Sequence, residues 1–123
     1  MSFILKIGDV IKVKYPRRVP KGHEQEGERP ALIIGIPDLL DTPRYPVLVT
    51  IPLTTNTDIW SDKNKLYIKL SKGEANLTSE SILITDQVLT IDATRIIGYI
   101  GSLSGKKITL VKDKIKTIFD MNN

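Results

Sequence analysis

Apolar residues recur at every second position through most of this chain, and only its last segment departs from that period. Ile11, Val13 and Tyr15 alternate with Lys12 and Lys14, which predicts a first strand with one buried face. The stretch from Pro16 to Arg29 is polar and holds Pro16, Pro20, Gly22 and Gly27, the composition of a loop. Pro30 then opens the unbroken apolar run Ala31-Leu32-Ile33-Ile34, which suits a central strand buried on both faces. A second loop carries Pro37, Asp38, Asp41 and Pro43. Val47 to Pro52 predicts the next strand, followed at once by Leu53-Thr54-Thr55-Asn56-Thr57. Leu66 to Leu70 alternates again, and Gly73 to Glu80 reads as a turn or one short helical turn. Ser81 to Leu89 and Arg95 to Ile100 supply two more strands.

The period changes at the end. Ile108, Val111, Ile115, Ile118 and Phe119 recur every three to four residues and predict a closing helix with Ser104 as its N-cap. Lys114 and Lys116 place positive charge in its C-terminal half, the favourable sign there. Short strands with no helical stretch between them argue against a doubly wound α/β fold. They predict a mainly β chain bent into a small barrel with a C-terminal helix. At 123 residues, the whole of 1–123 is expected to form one domain.

Composition narrows the chemistry. With no cysteine, there is no disulfide framework, thiolate zinc site or thiol nucleophile, and one histidine cannot form a histidine pair. No cofactor or metal ion is expected. No run approaches a membrane span, and the N-terminus lacks the pattern of a signal peptide, so the expected address is the cytoplasm. Eighteen Lys and Arg against fourteen Asp and Glu give a formal charge of +4, a mild bias toward polyanions. Residues 101–123 hold five lysines and two aspartates. A solvated helix face is the plain reading of that excess.

The segment Gly22-His23-Glu24-Gln25-Glu26-Gly27-Glu28-Arg29-Pro30 joins a loop to the most hydrophobic strand and sets Arg29 at its mouth. Two readings fit. Arg29 is either paired with Glu24, Glu26 or Glu28, or aimed at a phosphate with its rigid fork of donors. Thr54, Thr55 and Asn56 are either a plain turn or hydroxyls at a strand end beside Arg29, since sequential strands tend to be sheet neighbours. Thr85-Asp86-Gln87 interrupts an apolar run, and its plain role is hydrogen bonding between strands or subunits. Lys14, Arg17, Arg18 and Lys21 crowd eight positions ahead of Arg29, either as a solubilising loop or as an electrostatic footprint for nucleic acid. Trp60 and Tyr67 suit base stacking, a dimer interface or a cap on the core.

These residues carry a resemblance. Gly8-Asp9-Val10-Ile11, then Gly22-x-Glu24-Gln25-x-Gly27-x-Arg29-Pro30-Ala31-Leu32-Ile33-Ile34, is similar to the opening of the MazF/PemK (Kid-like) toxin endoribonucleases. Ile51-Pro52-Leu53-Thr54-Thr55, Ser81-Ile82-Leu83, Asp86-Gln87-Val88, Arg95 and Gly101-x-Leu103 follow in the family's order, so the likeness runs from about Lys6 to Phe119. It implies an SH3-like barrel with inserted loops and a C-terminal helix, of the kind PemK and CcdB share, working as a homodimer. It also implies sequence-specific, metal-free cleavage of single-stranded RNA, often messenger RNA, and a cognate MazE/PemI-like antitoxin that blocks the RNA groove. Carried over by motif, Arg29 and Thr54 are the active pair, with Glu24 and Gln25 in the loop that borders them. His23 stands where relatives often carry a small polar residue.

That reaction suits the residues available. RNA brings its own 2′-hydroxyl nucleophile, so the protein must chiefly stabilise a phosphorane whose oxygens gain negative charge. Arg29 supplies two donors and Thr54 one more, and Glu24, His23, Arg29 itself or a bound water are the candidates for proton transfer. Lys14, Arg17, Arg18, Lys21, His23, Gln25, Thr55 and Asn56 are the expected substrate contacts. The alternative is a toxin-like module that binds without cutting, either a CcdB-like partner binder or an inactive RNA-binding relative.

Overall fold

In the computed structural model, which describes residues 4–122, the first alternation becomes strand β1, Asp9–Tyr15. Ile11, Val13 and Tyr15 are buried on one face of the sheet, Val10 on the other, and Lys12 and Lys14 stay exposed. Strand β2, Gly27–Gly35, lies between β1 and β3 (Val47–Thr54), so its backbone is paired on both edges. Ala31 and Ile33 join one apolar cluster and Leu32 the other, which is why the run needs no polar alternation. β1 pairs antiparallel with β2 and, on its far side, with β7, Ile96–Ser102.

The edge of β3 is shared. Its first half pairs with β6, Leu89–Asp92, and its end with β5, Ser81–Leu83, which in turn pairs with β4, Ile68–Leu70. The strand expected over 81–89 is therefore two strands. Six positions separate Leu83 from Leu89, but their partners Leu53 and Thr50 are three apart, so three residues bulge out of the ladder. The polar triplet Thr85-Asp86-Gln87 sits in that bulge.

The sheet is not a closed barrel, contrary to the SH3-like barrel expected from the strand pattern and from the resemblance. Its order, β4-β5-β3-β2-β1-β7, ends in two strands that do not pair with each other. A side chain reaches a carbonyl on each of these two end strands. Asn76 donates its amide to the Ile100 carbonyl of β7 at 3.1 Å, and Lys107 donates to the Lys69 carbonyl of β4 at 3.2 Å. The turn around Asn76 presses on β7 so closely that a Cβ at Gly101 would meet the Ala75 carbonyl oxygen at 2.3 Å. Such covering of edges is one of the ways sheets avoid open pairing.

Helix α1, Gly105–Ile118, starts at Ser104, whose hydroxyl accepts from the Lys107 amide at 3.3 Å as its N-cap. Val111 is buried, and Ile108 and Ile115 pack beside it on the cluster of Val10, Leu32, Ile51 and Leu83. Full burial of a valine side chain contributes roughly 1.5 kcal/mol or more. Ile118 and Phe119, expected on this stripe, are 39% and 55% exposed because the helix ends beyond the sheet's cover.

Candidate active site

Arg29 belongs to β2 itself, two residues inside the strand, and is half-buried. Gly27, which starts the strand, has φ +83 with open space around it, so backbone conformation and not crowding demands glycine there. The Arg29 guanidinium donates through Nε to the Glu26 carbonyl at 3.0 Å. The three carboxylates that could have neutralised it are otherwise placed. Glu28 pairs with Lys12 at 3.6 Å, and Glu26 accepts from the Arg18 amide at 3.0 Å and lies 4.0 Å from Lys21. Glu24 is exposed, and its carboxylate lies over Gly22. Among the described residues Arg29 takes part in no ion pair.

An open pocket of about 440 Å³ lies beside it, lined by Arg17, Lys21, Gly22, His23, Glu24, Gln25, Glu26, Gly27 and Arg29. Six of the expected site residues thus share one wall. Gln25 is buried, and its Oε1 has no hydrogen-bond partner among the described residues; the same holds for Arg18 Nε. Arg18 is half-buried outside this lining, and Lys14 stands exposed across from Glu28. Neither joins the pocket.

Thr54 closes β3 and is 5% exposed. The antiparallel register pairs Ala31 with Pro52 and Leu32 with Ile51 and ends there; continued by two residues, its spacing would bring Arg29 level with Thr54, which itself pairs with Ile82 of β5. Residues opposite each other in such a pair share a face. Thr54 Oγ1 accepts from the Asn56 amide at 3.1 Å, while Thr55 and Asn56 are exposed in the following turn; none of the three lines the pocket.

On the same face lies a polar pair that the sequence reading missed. Tyr15 and Thr50 are buried with their hydroxyl oxygens 2.8 Å apart, and Thr50 donates to the Leu89 carbonyl, so Tyr15 is the donor to Thr50. Burial pushes the Tyr15 hydroxyl up to about 12, against the opposing pull of the positive charges on Arg18 and Arg29. The second omission is the bulge. Gln87 accepts from the Gln25 amide at 3.0 Å and donates to the His23 carbonyl at 3.1 Å. Asp86 accepts from the Tyr67 hydroxyl at 3.1 Å, and the Tyr67 ring meets Trp60 edge-on at 5.2 Å. Burial and then the Asp86 hydrogen bond hold the Tyr67 hydroxyl above its ordinary range.

A larger pocket, about 790 Å³, lies apart from this site and is mostly apolar, with Leu5, Ile36, Leu39, Val47, Leu48 and Ile96 on its walls. Among the described residues no three His, Asp or Glu side chains are grouped to hold a metal ion, and no helix is long and apolar enough to cross a membrane.

A bent, open sheet with one covering helix and an arginine at the mouth of its central strand defines a class, and sequence comparison assigns it. Residues 6–119 match the PemK-like, MazF-like toxins of type II toxin–antitoxin systems, and the chain belongs to that family. Among solved structures it is similar to MazF from Deinococcus radiodurans, with a TM-score of 0.74 at 17% identity over 98% of this chain and 100% of that one. The Mycobacterium tuberculosis toxin MazF-mt6 gives 0.68 at 16% identity, over 94% and 99% of the two chains. A mycobacterial endoribonuclease solved with its cognate antitoxin gives 0.65 at 14%, over 95% and 94%. At such identities these structures share the fold. Among curated proteins none matches the chain in sequence.

Proposed function

We propose that the protein is a sequence-specific endoribonuclease toxin that cuts single-stranded RNA, messenger RNA foremost, without a metal ion, and so inhibits translation. Membership of the toxin family supports the class. The observation that carries the chemistry is Arg29, a half-buried guanidinium fixed through Nε, in no ion pair among the described residues, and facing an open pocket.

A ribose 2′-hydroxyl attacks the adjacent phosphorus, the phosphorane's charge falls on its non-bridging oxygens, and the 5′-oxygen leaves. The products are a 2′,3′-cyclic phosphate and a 5′-hydroxyl. Arg29 stabilises the charged oxygens with its remaining donors, and the Thr54 hydroxyl adds one from the neighbouring strand. Glu24 and His23, exposed on the pocket's rim, are the groups available for proton transfer, and pH–rate profiles of E24A and H23A decide between them. Arg17 and Lys21 guide the phosphate backbone into the pocket.

The apolar pocket and the exposed Leu39 beside it suit a second copy of the chain, and the homodimer is the expected working form in the cytoplasm. The partner that restrains it is a cognate MazE/PemI-like antitoxin covering the RNA groove. The test is cleavage of a defined, unstructured RNA in EDTA with end-group mapping. Cuts at a short recurrent sequence leaving cyclic phosphate and 5′-hydroxyl ends are expected. Folded, antitoxin-free protein inert on varied RNAs overturns the reading in favour of a binding module.

A further inference from the structure

We infer that Gln87 is a positioning residue for the reaction, acting on Arg29 through the backbone of the pocket loop. This rests on the reading of Arg29 just given. The three residues that bulge from the β3 edge fasten two strips of chain, the Leu66–Tyr67 segment and the pocket loop. Thr85 donates its hydroxyl to the Leu66 carbonyl, Asp86 accepts from Tyr67, and Gln87 grips the loop at two points. A side-chain amide that donates to one carbonyl and accepts from the next amide but one behaves as a short piece of sheet edge. It fixes the loop over three residues with one side chain.

The linkage to the reacting centre is short. Gln87 holds the His23 carbonyl and the Gln25 amide; Glu26 follows directly in the chain; and the Glu26 carbonyl orients Arg29 through Nε at 3.0 Å. If the loop drifts, that carbonyl drifts with it, and the guanidinium loses the one fixed bond that aims its other donors. Gln25, whose buried Oε1 lies at the same turn, is held by the same grip. Gln87 itself does not line the pocket, so it does its work without touching the scissile phosphate. Its half-exposed position outside the core means that the side chain is removable without a cavity.

The test compares Q87A and Q87E with wild type and R29A on one short single-stranded RNA, measuring kcat and KM separately. Q87E keeps the acceptor for the Gln25 amide but sets a carboxylate against the His23 carbonyl. Loss of alignment at a reacting centre costs up to about 100-fold, so both variants should lose roughly 10- to 100-fold in kcat with KM little changed. Hydrogen exchange should speed up at the Gln25 amide and at Arg29 Nε–H in Q87A while the β1–β2 amides stay protected. Wild-type kcat in Q87A, or a loss lying wholly in KM, overturns the inference while R29A still reports on the reading beneath it. If R29A cleaves like wild type, that reading fails first, and the exchange at Arg29 Nε–H then stands as the separate measure of the grip.

Discussion

Two regions of this molecule hold half of its lysines and arginines between them, and they use them differently. In α1 two of the five lysines are fasteners. Lys107 reaches the Lys69 carbonyl and pairs with Glu74 at 3.8 Å, and Lys114 donates to the Lys65 carbonyl. Around the start of β2, Glu28 takes Lys12 and Glu26 takes Lys21, and among the described residues no carboxylate pairs with Arg29. The helix holds the larger net charge, but the loop holds the cation that is positioned and not neutralised. Charge count therefore does not locate a polyanion site; the partners of each charge do.

The sharpest way to break this contrast is at Arg29. R29A should lower RNA cleavage by about 10²–10³-fold, the usual effect of removing a preorganised donor, with an unchanged circular dichroism spectrum. T54A should follow in the same direction. Tyr15 gives the next effect, on stability alone. Its folded value of about 12 stands above the ordinary 10, so its contribution is fully present below pH 10 and is lost as pH rises toward 12. Two units correspond to roughly 2–3 kcal/mol, visible as a steep alkaline fall in the urea midpoint that Y15F should flatten.

Gly27 is expected to cost less. G27A forces a side chain into a left-handed backbone and should destabilise by roughly 1–2 kcal/mol, measured by urea denaturation. K107A, on a partly exposed pair, should cost about 1 kcal/mol or less and leave cleavage at the wild-type rate. The smallest effect separates the regions by salt. R17A and K21A should each reduce the log–log salt slope of RNA binding by about 0.7, whereas K112A and K116A should leave it unchanged.

How much of this was legible in the sequence follows from how local each signal is. β1, the loop and β2 were readable because alternation, Pro16, Pro20 and the Ala31–Ile34 run are neighbours in the chain. Ser104 announced the helix by the same kind of short-range chemistry. Closure was not readable. Which strands sit at the two ends of the sheet is set by pairings between distant segments, and the side chains that meet those ends, Asn76 and Lys107, reach carbonyls 24 and 38 residues away. The split of 81–89 was hidden for a similar reason, since it arises from the spacing of partners on β3. Arg29 and its loop stood out by motif, and the adjacency of β2 and β3 put Thr54 on the neighbouring strand. Gln87 stood out in the triplet Thr85-Asp86-Gln87, but its hold on the pocket loop did not, because its two partners lie 62 and 64 residues back along the chain.

The most direct measurement is single-turnover cleavage of one unstructured RNA in EDTA by wild type, R29A and the K112A/K116A double variant. The account predicts that R29A loses cleavage while the helix variant cuts at the wild-type rate and leaves the same cyclic-phosphate and 5′-hydroxyl ends. Wild-type cleavage by R29A, or its loss in the helix variant, would contradict it.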